Sequence, residues 1–143
     1  MNVTIMEQAD DLQVVISCRK IDAEVLRLKK YIQLFDRKLI AKKEEENCFI
    51  PSSDVLYFES VDDRTFLYTQ DQVFEIRQRL YELELIFSDR DFVRISKSQI
   101  VNLHKISTLK PELNRTILAT LCNGEQLSIS RKYVPSVRAI LSL

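Results

Sequence analysis

One glycine serves the whole 143-residue chain, and that scarcity restricts the fold before anything else does. Loops that cradle phosphate need several residues able to take positive φ or to let backbone approach a ligand closely. P-loops, dinucleotide-binding turns and glycine-rich lids are therefore excluded together. The glycine, Gly124, follows Asn123 and lies between two alternating runs, residues 116–121 and 126–130. Asn-Gly at such a place predicts a β-hairpin closed by a type I′ turn, with both central residues at positive φ.

Period-two patterning recurs at residues 49–50, 55–59 and 65–69, rich in aromatic and β-branched side chains. These runs predict successive strands of an antiparallel sheet. Asp62 and Asp63, between two of them, suit a turn in which carboxylates bond local backbone rather than share a proton. Helical spacing appears twice. Ile21, Val25, Leu28, Ile32 and Phe35 predict a helix over 22–36 with Asp22 as its cap, and Val73, Ile76, Leu80, Leu83 and Phe87 predict a second. Pro135 suits the first turn of a closing helix that buries Val137 and either Ile140 or Leu141.

Before the first helix, residues 12–18 form a β-rich run that predicts a strand, and residues 38–43 predict another. The acidic stretch Glu44-Glu45-Glu46-Asn47 is either a hairpin turn or a boundary between units. Taken as a boundary, it divides a small strand-helix N-terminal unit, residues 1–46, from a mainly β domain, residues 47–143. A short strand and one amphipathic helix cannot bury both apolar faces alone, so the first unit should pack on the β domain or on a second copy.

Hydrophobic residues make up 45% of the chain, enough for a compact core that removes roughly two-thirds of the unfolded surface from water. The formal charge is +0. Residues 1–46, 47–87 and 88–143 carry balances of 0, −5 and +5, so a basic C-terminal third is hidden in a neutral total. Cys18, Cys48 and Cys122 are odd in number and far apart, which encodes neither a disulfide framework nor a zinc cluster and fits a reducing cytoplasm. No apolar run is long enough for a membrane helix, and the N-terminus lacks the basic start of an export signal.

Catalytic chemistry finds little support. His104 is the sole imidazole, so relays and histidine metal sites are excluded. Ser128 and Ser130 alternate with Leu127 and Ile129 on a strand and lack a glycine-flanked elbow. No catalytic residue, metal ligand set or cofactor is expected.

From Phe92 to Asn102 the chain reads F-V-R-I-S-K-S-Q-I-V-N, and from Leu127 to Tyr133 it reads L-S-I-S-R-K-Y. Both segments resemble the signatures of the LytTR DNA-binding domain of bacterial transcription regulators, approximately F-x-R-x-H-[R/K]-S-x-I-V-N, then a strand pair with N-G between, then I/V-S-R. The stretch Asp54-Val55-Leu56-Tyr57-Phe58-Glu59-Ser60 resembles the family's opening strand. The resemblance covers residues 47–143. It implies an α+β fold, mainly β, of packed antiparallel sheets with one or two short helices, reading DNA through loops set into successive major grooves.

By the same resemblance, Lys97, Arg64 and Arg131 match contact points, with Lys97 and Arg131 assigned base or base-plus-phosphate roles. Arg94, Ser96, Ser98 and Lys132 are assigned positioning on the DNA backbone. The chemistry is consistent, because Arg and Lys donate to guanine O6 and N7 while hydroxyls donate to phosphate. Arg94 alternates with Val93 and Ile95, and Asn102 suits a cap or turn, so both also have structural readings.

Three departures stand out. Ser96 replaces a common His, Arg64-Thr65 replaces a variable loop, and residues 1–46 are too short for a phosphoacceptor receiver domain. The chain therefore resembles receiver-less regulators, several of which are held in check by a small membrane protein. The expected partners are double-stranded DNA carrying promoter direct repeats, a second copy in a homodimer, and such an inhibitor. The alternative is a protein-interaction module that sequesters a regulatory partner without binding DNA.

Overall fold

The structure is a computed structural model that describes residues 1–87 and 91–143, without the side chains of residues 34–36. The first regular element is α1 (Ala23–Asp36), whose Val25 amide donates to Asp22 Oδ1 at 3.0 Å. That is the expected cap, which satisfies an otherwise unpaired amide of the first turn. Val25, Leu28 and Ile32 are half-buried, Ile21 is exposed, and the Phe35 side chain lies outside the described residues. Residues 12–18 form no strand, contrary to the expectation from their composition. A strand needs a partner for its amides, and none of the described chain pairs with this run.

β1 (Lys38–Lys43) and β2 (Glu46–Pro51) form a hairpin. The Glu44-Glu45 turn, read as a possible boundary, therefore joins strands of one sheet. After a 3-10 turn come β3 (Tyr57–Val61), β4 (Arg64–Tyr68), β5 (Val73–Ile76) and α2 (Leu80–Ile86). Then follow β6 (Phe92–Ser96), β7 (Gln99–Asn102), β8 (Ile106–Pro111), β9 (Ile117–Leu121), β10 (Gln126–Ile129) and α3 (Val134–Leu141). The strands make a seven-stranded antiparallel sheet in the order β2-β1-β5-β4-β3-β7-β6 and a three-stranded sheet, β10-β9-β8.

Alternation along the large sheet divides the core. Phe58, Leu67, Phe74, Phe92 and Ile100 point to α2, where Leu80, Leu83 and Phe87 meet them. Phe58, Phe87 and Phe92 form a mutual ring cluster at 4.5–6.1 Å, each such pair adding about 0.5–1.5 kcal/mol beyond its buried area. Tyr57, Val93, Ile95 and Val101 point the other way, onto Ile117, Ala119, Leu127 and Ile129 of the small sheet and Val134 and Val137 of α3. Strands β3, β7 and β6 of the large sheet are thus covered on both faces. As expected, α3 has Pro135 in its first turn and Val137 buried, and Ile140 rather than Leu141 completes its inner side.

Two local expectations are corrected. The spacing at residues 73–87 predicted one helix, yet Val73–Ile76 is β5, paired antiparallel with β4, and the helix begins only at Leu80. Val73 and Ile76 fit either period, and the exposed edge of β4 supplies the hydrogen-bond partners that favour the strand. Phe74, not Val73, consequently faces the core.

The Asn-Gly hairpin exists, but its connection spans residues 122–125 and only Gly124 has positive φ, +89°. The Gly124 amide donates to the Leu121 carbonyl and Asn123 Oδ1 accepts from the Glu125 amide, so a type I turn runs into a glycine bulge rather than a type I′ turn. Paired positive φ occurs instead in the two-residue loops Glu44-Glu45 and Asp62-Asp63.

Candidate nucleic-acid interface

Strand register gathers three turns that carry the expected cations, the first of which also holds Asp62 and Asp63. Glu59 of β3 lies opposite Gln99 of β7, which brings the β3–β4 turn and the β6–β7 turn to one end of the sheet. There the Ser60 amide donates to the Ser98 carbonyl at 2.8 Å. The third turn, residues 131–133, follows β10 and is tied in by the Ser130 amide, which donates to the Ile95 carbonyl at 2.8 Å. That carbonyl is available because β6 carries a bulge: Arg94 faces Ile100, Ser96 faces Gln99, and Ile95 between them has no ladder partner. The Ile95 side chain is buried under the small sheet and anchors the bulge. Chain reach from this bond holds the Cα atoms of Lys97 and Arg131 within about 15 Å of one another.

The expected site residues divide by what they touch. Lys97 and Arg131 are exposed, and their charged ends meet no partner among the described residues. Lys132 is exposed too, its ammonium 5.5 Å from the centre of the Tyr133 ring. Arg64 reaches Glu75 bidentately, Nε to Oε1 at 2.9 Å and Nη2 to Oε2 at 2.6 Å, while lying over Phe66. The hydrogen bonds from Arg64 hold the Glu75 carboxyl below the ordinary carboxylate range and raise the guanidinium in turn. The Ser98 amide donates to Ser96 Oγ at 3.2 Å, so the Ser96 hydroxyl oxygen closes the turn beneath Lys97.

Arg94, expected either on the DNA backbone or as a solvated strand residue, is occupied by protein. Its Nε donates to the Ser96 carbonyl at 2.8 Å, its Nη2 to the Lys97 carbonyl at 2.7 Å, and its Nη1 pairs with Glu84 of α2. One rigid fork therefore shapes the turn that displays Lys97. Replacing Arg94 with Met is expected to cost about 1–3 kcal/mol of stability and to weaken duplex binding, since the turn that displays Lys97 loses its brace. Arg94→Lys should restore little of either, since one ammonium cannot reproduce the planar fork; melting temperature and duplex affinity measured side by side check this.

Other residues acquire roles that spacing alone did not reveal. Glu75 and Glu84 brace Arg64 and Arg94, pairings made across strands and between layers that no local pattern signals. Arg77 follows Ile76, which pairs with Thr65, so it lies beside Arg64 at the basic end and is exposed. Asn102 is 2% exposed, donates Nδ2 to the Val55 carbonyl at 2.8 Å and accepts from the His104 amide, which is a structural role. His104 sits 2.6 Å from Asp91 Oδ1 and against the Tyr31 ring, fastening α1 to the fold together with Arg27.

Exposed cations on short, hydrogen-bonded turns form a rigid set of donors suited to anionic or guanine-edge acceptors. A family model described as the LytTr DNA-binding domain matches residues 45–142. Uncharacterized HTH-type transcriptional regulators of Staphylococcus aureus strains NCTC 8325 and N315 are each 35% identical over 105 residues, covering 73% of this chain and 71% of theirs. Among solved structures, a LytTr DNA-binding domain from Bacillus cereus superposes with a TM-score of 0.71 at 26% identity, over 74% of this chain and 97% of that one.

Proposed function

The chain belongs to the LytTR DNA-binding domain family, and from that premise we propose that it is a sequence-specific transcriptional regulator that reads the major groove of double-stranded DNA through the turns at Arg64, Lys97 and Arg131. The observation that carries this reading is the pair of backbone bonds, Ser60 to Ser98 and Ser130 to Ile95, which hold the three turns at one end. Lys97 and Arg131, which meet no partner among the described residues, contact base edges, while Lys132, Arg77 and the Ser96 and Ser98 hydroxyls contact phosphate. Arg64 reaches DNA by exchanging Glu75 for an acceptor on the duplex. Two copies read one target site, and the protein works in the cytoplasm, where that DNA lies.

Salt dependence tests the reading. The two phosphate-neutralising cations of each copy, Lys132 and Arg77, give a log–log slope of about −2 per copy bound to a promoter duplex, from roughly −0.9 per phosphate. Fluorescence anisotropy over a salt series measures it, and a flat response overturns the proposal.

A further inference from the structure

Residues 12–18 and the outer edge of strand β2 are complementary, and neither has a strand partner among the described residues. β2 closes one edge of the large sheet, next to β1 alone. Its two-residue loop makes Lys43 and Glu46 the closing hydrogen-bonded pair, so Cys48 and Ile50 turn their backbone groups to β1, and Asn47 and Phe49 turn theirs outward. Nothing described covers this edge, and Phe49 is 64% exposed beside exposed Ile40. An open edge of this kind is a template for another strand. The run Leu12-Gln13-Val14-Val15-Ile16-Ser17-Cys18 matches it in length, has strand composition, and leaves Leu12 and Val15 91% and 81% exposed.

Charge chooses the direction. The run is preceded by Asp10-Asp11 and followed by Arg19-Lys20. β2 starts behind Glu44-Glu45 with Glu46 and ends beside Lys38, which pairs with Pro51 and follows Arg37. Laid antiparallel along β2, the run sets Arg19-Lys20 against the glutamates and Asp10-Asp11 against Arg37-Lys38. Laid parallel, it sets acid against acid and base against base at the two ends.

Among the described residues of one chain the run is unpaired, while α1 is docked on the fold. We propose that residues 12–18 add antiparallel to the outer edge of β2 in a second copy of this chain, each copy donating one strand, so that a two-fold dimer is closed by reciprocal strand addition. The inference rests on the N-terminal run and the sheet edge and not on the DNA-contacting turns.

Sedimentation equilibrium of the full chain tests it. The wild type is expected at twice the monomer mass of 16.8 kDa. Arg19→Glu with Lys20→Glu, and separately Glu45→Lys with Glu46→Lys, each places like charges across the junction and should raise the dissociation constant at least about tenfold. Mixed one to one, the two variants recover opposite charges at both junctions and should associate as tightly as the wild type. Phe49→Pro, which removes an outward amide and spares the β1 ladder, should also give monomers, with the circular dichroism spectrum retained. A monomeric wild type, unchanged mass in the charge-reversed variants, or a mixture that stays monomeric overturns the proposal. Binding of a single half-site by the monomeric variants would leave the DNA reading intact, so the two failures are distinguishable.

Discussion

Replacing Lys97 and Arg131 together with alanine is expected to lower affinity for a target duplex by about 30-fold to 10⁴-fold, from ~1–3 kcal/mol per lost contact. Melting should stay close to that of the wild type, because both side chains are exposed and make no ion pair or hydrogen bond with the described residues. The separation of the two readouts is the informative part. Affinity that survives the double change would remove these residues from the interface, and a large fall in melting temperature would mean that they support the fold. Single variants should be roughly additive, since the two turns are joined through backbone rather than through either side chain.

Asn102→Ala is the substitution expected to damage the fold most. The Asn102 side chain is buried, and removing it strands the Val55 carbonyl and the His104 amide while opening a small void between β3 and β7. One unmet buried carbonyl, a part-buried amide and the void should cost about 2–5 kcal/mol. Chemical denaturation should show a lower midpoint with an unchanged slope. Asn102→Asp should fare little better, because a carboxylate accepts from His104 but cannot donate to Val55.

Much of this architecture is legible in the sequence where one period dominates. The β3–β4 hairpin, the capped helix α1, the β9–β10 pair and the closing helix all follow from local alternation, a capping aspartate or a turn residue. Where two periods compete, long-range pairing decides. Val73 and Ile76 fit a helix until β4 offers an edge, and residues 12–18 read as a strand for which the described residues of the single chain offer no partner. The same division holds at the site. Lys97 and Arg131 stand out in their motifs, while the bracing of Arg64 by Glu75, the fork of Arg94 around its turn and the proximity of Arg77 depend on strands meeting across the sheet. The hairpin at Gly124 shows a further limit, since Asn-Gly admits more than one turn and only the length of the connection selects between them.

The bulge at Ile95 has a thermodynamic consequence. Because its carbonyl joins the two sheets, the backbone of the turns that carry Lys97 and Arg131 is set before any ligand arrives, and on the proposed reading those turns need not fold on binding. Association should therefore be fast, and the heat-capacity change on complex formation should reflect the surface covered rather than coupled folding of the protein.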